Sequence, residues 1–249
     1  MAKRRQYTTN RPPAANHLLA ALPPDVFDRI APTLTVVPLK LKQFLHNPGD
    51  PVRDVYFPGG GFISLVTVLK NGSMVEVATV GREGMFGAGA VLNGDPGLSA
   101  ALVQAESDTC YRMSATVFRR EFERREAFQD LMARYVQALS GCIMQSAACN
   151  AVHSVEQRLA RWLLLAHDRV GKNEFPLTQE FVAMMLGVSR PSVTIVAGTL
   201  QKAGLITYRH GRLTIVDRDQ LESASCECYQ TATELLTNVT RRSQSVSSR

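Results

Sequence analysis

Along the chain the spacing of apolar positions changes sharply near residue 115. Between about residues 33 and 114, short β-branched and apolar runs recur at close intervals: Thr35–Leu39, Val52–Phe57, Phe62–Leu69, Met74–Val80 and Ala100–Ala105. Turn-forming clusters separate them, namely Asn47-Pro48-Gly49-Asp50, Pro58-Gly59-Gly60-Gly61, Asn71-Gly72 and Asn93-Gly94-Asp95-Pro96-Gly97. Asn-Gly between two apolar runs marks a hairpin, because both residues tolerate positive φ. Many short strands broken by Gly/Pro turns predict a sandwich or jelly roll.

From about 115 the period becomes helical. Ala115–Glu123 and Ala127–Val152 contain no proline, and from Gln137 to Val155 no residue is formally charged. A helix uncharged on every side is normally buried on every side, and one β domain can cover only one face. The other face calls for a partner, most simply the same helix of a second copy. Met132, Val136, Leu139, Ile143 and Ser146 follow the 4-3-4-3 spacing of a two-helix seam, with Gly141, Ala147 and Ala148 permitting close backbone approach. Ser154 and Gln157 form a capping box that starts another helix, ending by Gly171.

Residues 177–203 carry the most specific local pattern. Thr178 caps a helix over Gln179–Leu186, Gly187 supplies a left-handed turn residue, and Ser189 caps a second helix with Pro191 in its first turn. Gly204 stops that helix. Leu205–Tyr208 and Arg212–Val216 then flank a tight Arg209-His210-Gly211 turn, giving a β-hairpin wing. This is the spacing of a winged helix-turn-helix.

Composition and charge refine this picture. The chain has 249 residues, 28 Lys+Arg against 22 Asp+Glu, and 45% hydrophobic residues, which excludes a wholly disordered chain. No run of 18 apolar residues exists, the basic N-terminus lacks a secretory core, and a cytoplasmic location is expected. From Leu177 to Val216 the bases are Arg190, Lys202, Arg209 and Arg212, with His210 available, and the only acid is Glu180. Bases at one helix start and on a wing suit phosphates and a groove. The candidate DNA-binding residues are Thr178, Gln179, Ser189, Arg190, Ser192, Thr194, Lys202, Arg209 and Arg212.

The expected architecture is α+β. A flexible basic arm spans 1–15, a β-roll domain 16–127, which the resemblance given below makes a sensor, and a dimerisation helix 128–153. A winged helix-turn-helix follows over 154–224, then a C-terminal tail over 225–249 whose polar end frays.

Metal chemistry is not readable. The five cysteines stand at 110, 142, 149, 226 and 228; Cys226-Glu227-Cys228 is the only close pair, with no second pair or neighbouring His to complete a zinc site. They read as free buried thiols, with a redox role for Cys226 and Cys228 as the alternative. The strand region offers only His46, Glu76 and Glu83, so no metal triad of a jelly-roll enzyme appears, nor does a P-loop or a Ser-His-Asp motif.

The order β-roll, long helix, winged helix-turn-helix resembles the Crp/Fnr family of bacterial transcription regulators, over about residues 20–224. The matching stretches are Asn47-Pro48-Gly49-Asp50, Val55-Tyr56-Phe57, Phe62–Leu69, Asn71-Gly72, Val80-Gly81-Arg82-Glu83-Gly84 and Thr178 through Leu205. Leu186-Gly-Val-Ser-Arg-Pro-Ser-Val193 is the most diagnostic. The resemblance implies a homodimer on double-stranded DNA carrying an inverted repeat, with RNA polymerase as a protein partner. It also implies that Arg190 reads a guanine while Ser189 and Ser192 approach phosphates; an Arg can give two donors to the O6/N7 edge of guanine. Pro191 and Ile195 stand where the family usually has an acid and an Arg, so the operator departs from the usual consensus.

The sensor half departs further. Where nucleotide-binding members carry a Gly-Glu-Leu turn and an Arg-Ser pair, this chain has Gly87-Ala88-Gly89 and Leu98-Ser99-Ala100. Burying a cyclic phosphate unpaired costs several kcal/mol, so a signal other than cyclic AMP is expected. The candidate effector turn comprises Arg82, Glu83, Gly87, Ala88, Gly89, Leu98 and Ser99, with Arg82 and Glu83 pairing with each other or the backbone. The absence of Cys before Cys110 argues against the family's N-terminal iron–sulfur cluster, and His46, His153, His167 and Cys110 fall in no haem pattern. The cofactor stays unknown. Two alternatives stay open: a ligand-binding module acting on a protein partner, and a cyclic-nucleotide-responsive regulator.

Overall fold

A computed structural model describes residues 15–87, 89, 97 and 99–246. The basic arm, apart from Ala15, lies outside the described residues, as do Ala88 and Leu98 of the candidate effector turn. Two short helices, α1 (His17–Ala20) and α2 (Pro24–Ile30), lead into the roll. Asn16 secures them: its buried side chain caps Leu19 N, and its Nδ2 donates to Pro58 O and Gly84 O, each at 2.9 Å.

The roll is built from β1 (Thr35–Leu39), β2 (Phe44–His46), β3 (Asp54–Pro58), β4 (Phe62–Val68), β5 (Met74–Val80), β6 (Ala100–Ala105) and β7 (Ser107–Ser114). They form two antiparallel sheets, ordered β1-β7-β3 and β2-β6-β4-β5. Alternation buries Ile63, Leu65, Val80, Ala101, Val103 and Cys110 in one cluster. Asn71-Gly72 turns β4 into β5 with Gly72 at φ +82°, a conformation glycine adopts without strain.

Helix α3 (Ala115–Glu123) precedes α4 (Ala127–Val152). One side of α4 enters the core through Phe128, Leu131, Met132, Tyr135 and Ala138, and Tyr135 Oη donates to Met85 O at 2.8 Å. Three more helices and a small sheet complete the DNA-binding-like unit. These are α5 (Val155–Val170), α6 (Gln179–Leu186) and α7 (Arg190–Lys202), with β8 (Glu174–Pro176), β9 (Ile206–Arg209) and β10 (Arg212–Ile215) paired in the order β8-β10-β9. Both halves of the expected Ser154–Gln157 capping box form, and Gly171 closes α5 in the left-handed region. Among the described residues no single helix is long and apolar enough to cross a membrane.

Two expectations need correction. The segment after 224 is not a tail: after α8 (Arg218–Ser223), residues Cys228–Val246 form a long helix, α9. Tyr229, Ala232, Leu236 and Val239 recur on one face and are buried, and α9 lies along α4, where a Cβ on Gly141 would stand 3.1 Å from Leu235 Cδ1. The close approach at Gly141 therefore serves an intrachain contact. The residues expected to line a seam between copies are also not all free for it. Met132 is wholly buried inside the protomer, and Val136 and Leu139 pack against its core. The apolar face left uncovered lies around Ile143, Met144, Ala147, Ala148, Ala151 and Val152, with Met144 68% exposed.

Candidate nucleic-acid interface

Local chemistry builds the helix pair. Thr178 Oγ1 accepts from Phe181 N at 3.2 Å, satisfying an otherwise unpaired donor in the first turn of α6. Gly187 stops α6 at φ +63°. Ser189 Oγ then accepts from Ser192 N at 3.3 Å and starts α7. The axes bend by 106° across this turn, within the range of helix-turn-helix pairs. Val193, Ala197 and Leu200 bury the inner face of α7 against Leu159, Trp162, Met185 and Leu186.

The outer face of α7 is open. Arg190, Pro191, Thr194, Ile195, Thr199 and Lys202 are all exposed, Ile195 by 71%. Arg190 Nη1 pairs with Glu180 Oε1 at 3.2 Å, and both side chains stay mostly in solvent. Thr194 Oγ1 donates to Gln179 Oε1 at 2.8 Å, linking the two helices on this surface. Ser189 and Ser192 hydroxyls lie 2.9 Å apart at the α7 N-terminus, where free amides and the helix dipole favour an anion. The candidate residues thus share the surface formed by α6, α7 and the wing. Gln179 and Ser192 are partly covered and the others exposed, with Thr178 engaged as a cap.

The wing is a two-residue hairpin. His210 (φ +50°) and Gly211 (φ +73°) carry the paired positive φ values of a tight turn between Arg209 and Arg212, which face each other in register. Arg209 and Lys202 are exposed, and Arg212 Nε pairs with Glu174 Oε1 at 2.5 Å in solvent. Tyr208 supports the wing from inside: burial raises its phenol above the usual range, so it stays a donor, and it bonds Leu177 O.

Of the two arrangements expected for Arg82 and Glu83, the one with backbone partners forms: Arg82 donates to a backbone carbonyl and Glu83 accepts from Gly81 N at 3.0 Å. Arg82 Nη2 donates to Asp168 O at 2.9 Å, and Glu83 binds Arg169 Nη2 at 2.7 Å, so both join the roll to α5. They line a 630 Å³ cavity with His17, Asp168, Arg169 and Leu236. Gly87 lies beside Val55 and Val52, whereas a Cβ added at Gly89 would meet nothing within 4 Å. Ser99 is partly covered next to β6. A second cavity of 340 Å³ opens in the roll itself, lined by Phe44, His46, Asp50, Arg53, Tyr56 and Phe86.

Several contacts between roll and helices have no signal in the sequence. Glu76 on β5 accepts from Trp162 Nε1 at 2.8 Å and from Ser64 Oγ. Burial pushes its carboxyl up to about 7, partly opposed by those two donors. Gly187 packs on Val75 and Gln104 reaches Met185, so the helix-turn-helix rests directly on the second sheet. The sequence shows no zinc-ligand spacing, yet the fold brings the donor atoms of Cys149, His153, Cys226 and Cys228 within 4.8 Å of one another.

Comparison with known proteins places this architecture. Residues 36–135 match the cyclic nucleotide-binding domain family, and residues 157–224 match the Crp-like helix-turn-helix domain family. The chain is 25% identical over 196 residues to the global nitrogen regulator of Synechococcus elongatus, covering 72% of this chain and 86% of that protein. A CRP-family transcriptional regulator from Thermus thermophilus shares its fold at TM-score 0.62 and 19% identity, over 76% of this chain and 95% of that one. The c-di-GMP-responsive global regulator CLP of Xanthomonas campestris shares it at TM-score 0.56 and 16% identity, over 77% and 98%.

Proposed function

The chain belongs to the Crp/Fnr family of transcription regulators, and from that premise we propose that it reads an inverted repeat as a homodimer, with its β-roll answering to a signal other than cyclic AMP. One observation carries the reading: the outer face of α7 is exposed, and bases flank it at its start, its end and on the wing. Arg190, in the first turn, presents two donors to a guanine edge. Lys202, Arg209 and Arg212 take phosphates, and Ser189 with Ser192 seats one at the helix N-terminus. Ile195 and Pro191 offer no side-chain donor, so neighbouring bases are read by methyl contact or DNA shape.

Dimerisation follows from the uncovered apolar face of α4 around Met144 and Ala147. Two copies paired there present two α7 helices to half-sites about one helical turn apart. RNA polymerase is the protein partner in this reading. The missing acid and Arg at Ala88 and Leu98 support a signal other than a cyclic nucleotide, although the roll belongs to that domain family. The contacts Glu76–Trp162, Glu83–Arg169 and Val75–Gly187 give the roll a direct mechanical hold on the helix-turn-helix.

The test is duplex binding by fluorescence anisotropy across a salt series. Binding should weaken steeply with salt, and Arg209→Ala should weaken it for every sequence while flattening the logarithmic slope by about one unit. Salt-independent or absent binding would favour a module that acts on a protein alone. Calorimetry with cyclic AMP and cyclic GMP should show no site of micromolar affinity, a threshold near about −8 kcal/mol.

A further inference from the structure

Five buried cysteines lie among the described residues, and three of them gather in one place. Cys149 stands one turn before His153 at the end of α4; Cys226 lies two residues before α9 and Cys228 opens it. Cys149, Cys226 and Cys228 form a cluster of their own, apart from the apolar cores, at 0%, 4% and 0% exposure. We propose that Cys149, His153, Cys226 and Cys228 bind one tetrahedral zinc-class ion that clasps the end of the long helix to the C-terminal helix.

Distances support a single ion. Zinc bonds of about 2.3 Å to sulfur and about 2.0 Å to nitrogen imply tetrahedral edges of about 3.8 Å between thiolates and about 3.6 Å between thiolate and imidazole. Cys149 Sγ and Cys226 Sγ are 3.5 Å apart, and Cys228 Sγ lies 3.5 Å from His153 Nδ1. All four donor atoms lie within 4.8 Å of one another. An iron–sulfur cluster, with sulfides between its irons, needs its protein ligands further apart.

The surroundings also suit a metal. His153 turns Nδ1 inward while Nε2 meets the Glu227 carboxylate at 3.3 Å. That is the carboxylate–histidine arrangement that fixes the tautomer of a ligating imidazole. Gln145 Nε2 donates to Cys228 Sγ at 3.1 Å, a bond that favours a thiolate. Three thiolates on a dication leave one net negative charge. Arg158 and Arg161, both 8% exposed, are close enough to act electrostatically on Cys149. Arg158 Nη2 donates to Leu186 O and Arg161 Nη1 to Ser146 Oγ, and the Glu76 carboxyl acts electrostatically on Arg161, but the Nε atoms of both have no hydrogen-bond partner and neither guanidinium forms an ion pair among the described residues. A bound, negatively charged centre adds counter-charge beside these two buried cations. Binding releases the three thiol protons to solvent, with no change of oxidation state.

The experiment uses full-length protein purified under reductant without added chelator. Mass spectrometry under native conditions and elemental analysis should find one zinc per chain. Cobalt(II) loaded into stripped protein should give the visible bands of a tetrahedral thiolate site. Cys226→Ser and His153→Ala should each abolish stoichiometric binding, whereas Cys110→Ala, at a distant buried thiol, should retain it. Because these changes can disturb folding, Glu227→Gln serves as the milder variant: it should keep the fold and the cobalt bands but weaken zinc binding at least about tenfold. Protein that neither carries nor takes up zinc or cobalt while its circular dichroism is intact would overturn the proposal. So would a Cys149–Cys226 disulfide as the isolated state under reductant.

Discussion

Arg190 is paired with Glu180 in the free protein, and the strength of that pair matters for the proposed reading of DNA. Both groups are mostly exposed, and such a pair contributes about 0–1 kcal/mol, so a guanine edge can displace it. Glu180→Gln should leave the melting temperature within about one degree while tightening duplex binding, because it removes the acid paired with Arg190; anisotropy and thermal denaturation check both. This part of the site is legible in the sequence because it is local. The Thr178 cap, the positive φ of Gly187 and the Ser189 cap are all fixed by neighbours within a few residues. The cysteine cluster is not legible, since Cys149 and Cys226 are 77 positions apart and only the folding of α9 onto α4 joins them.

Glu76 makes a second residue-scale prediction, on pH. Its carboxyl is enclosed and its protonation midpoint in the folded chain is raised to about 7 from an ordinary 4.5. Between these values the folded state holds a proton that the unfolded state releases, so stability falls as pH rises through the window. Glu76→Gln removes that titration. The variant should therefore melt with wild type at pH 4.5 and above it at pH 8. An unchanged gap across this range would show that Glu76 is not held neutral.

At the scale of elements, α4 shows why a charge-free helix sequence does not by itself name its neighbours. Its uncharged stretch does need covering, but α9 supplies part of the cover from the same chain. The signal is the recurrence of Tyr229, Ala232, Leu236 and Val239, which a Thr- and Ser-rich background obscures. The two faces of α4 should respond differently to charge. Met144→Glu, at a solvent-exposed position of the protomer, should yield a folded monomer in sedimentation. Leu139→Glu, packed against the core, should destabilise the protomer itself by several kcal/mol. A Met144→Glu protein that remains dimeric would move the interface off α4.

At the scale of the whole molecule, the roll, the long helix and the helix-turn-helix are one mechanical unit. Trp162 joins Phe62 of the roll to Phe181 of α6 through edge-on ring contacts, and its indole donates to Glu76. These contacts set the roll directly against α5 and α6. The order of the domains is legible because strand period, helix period and turn chemistry each change at the domain borders. Their docking is not, because Val75, Gln104 and Arg169 look like ordinary sheet and helix surface until the partner element is placed against them. The central claim is that one side chain, Arg190, reads base identity while the wing and helix-end bases read only backbone. The most direct test is selection from random duplexes with wild type and Arg190→Ala, at two salt concentrations and with cell extract as a source of the signal. Wild type should enrich an inverted repeat, and the variant should lose about 1–3 kcal/mol of affinity and relax its preference mainly at one base pair per half-site. An unchanged sequence preference in Arg190→Ala would contradict the account.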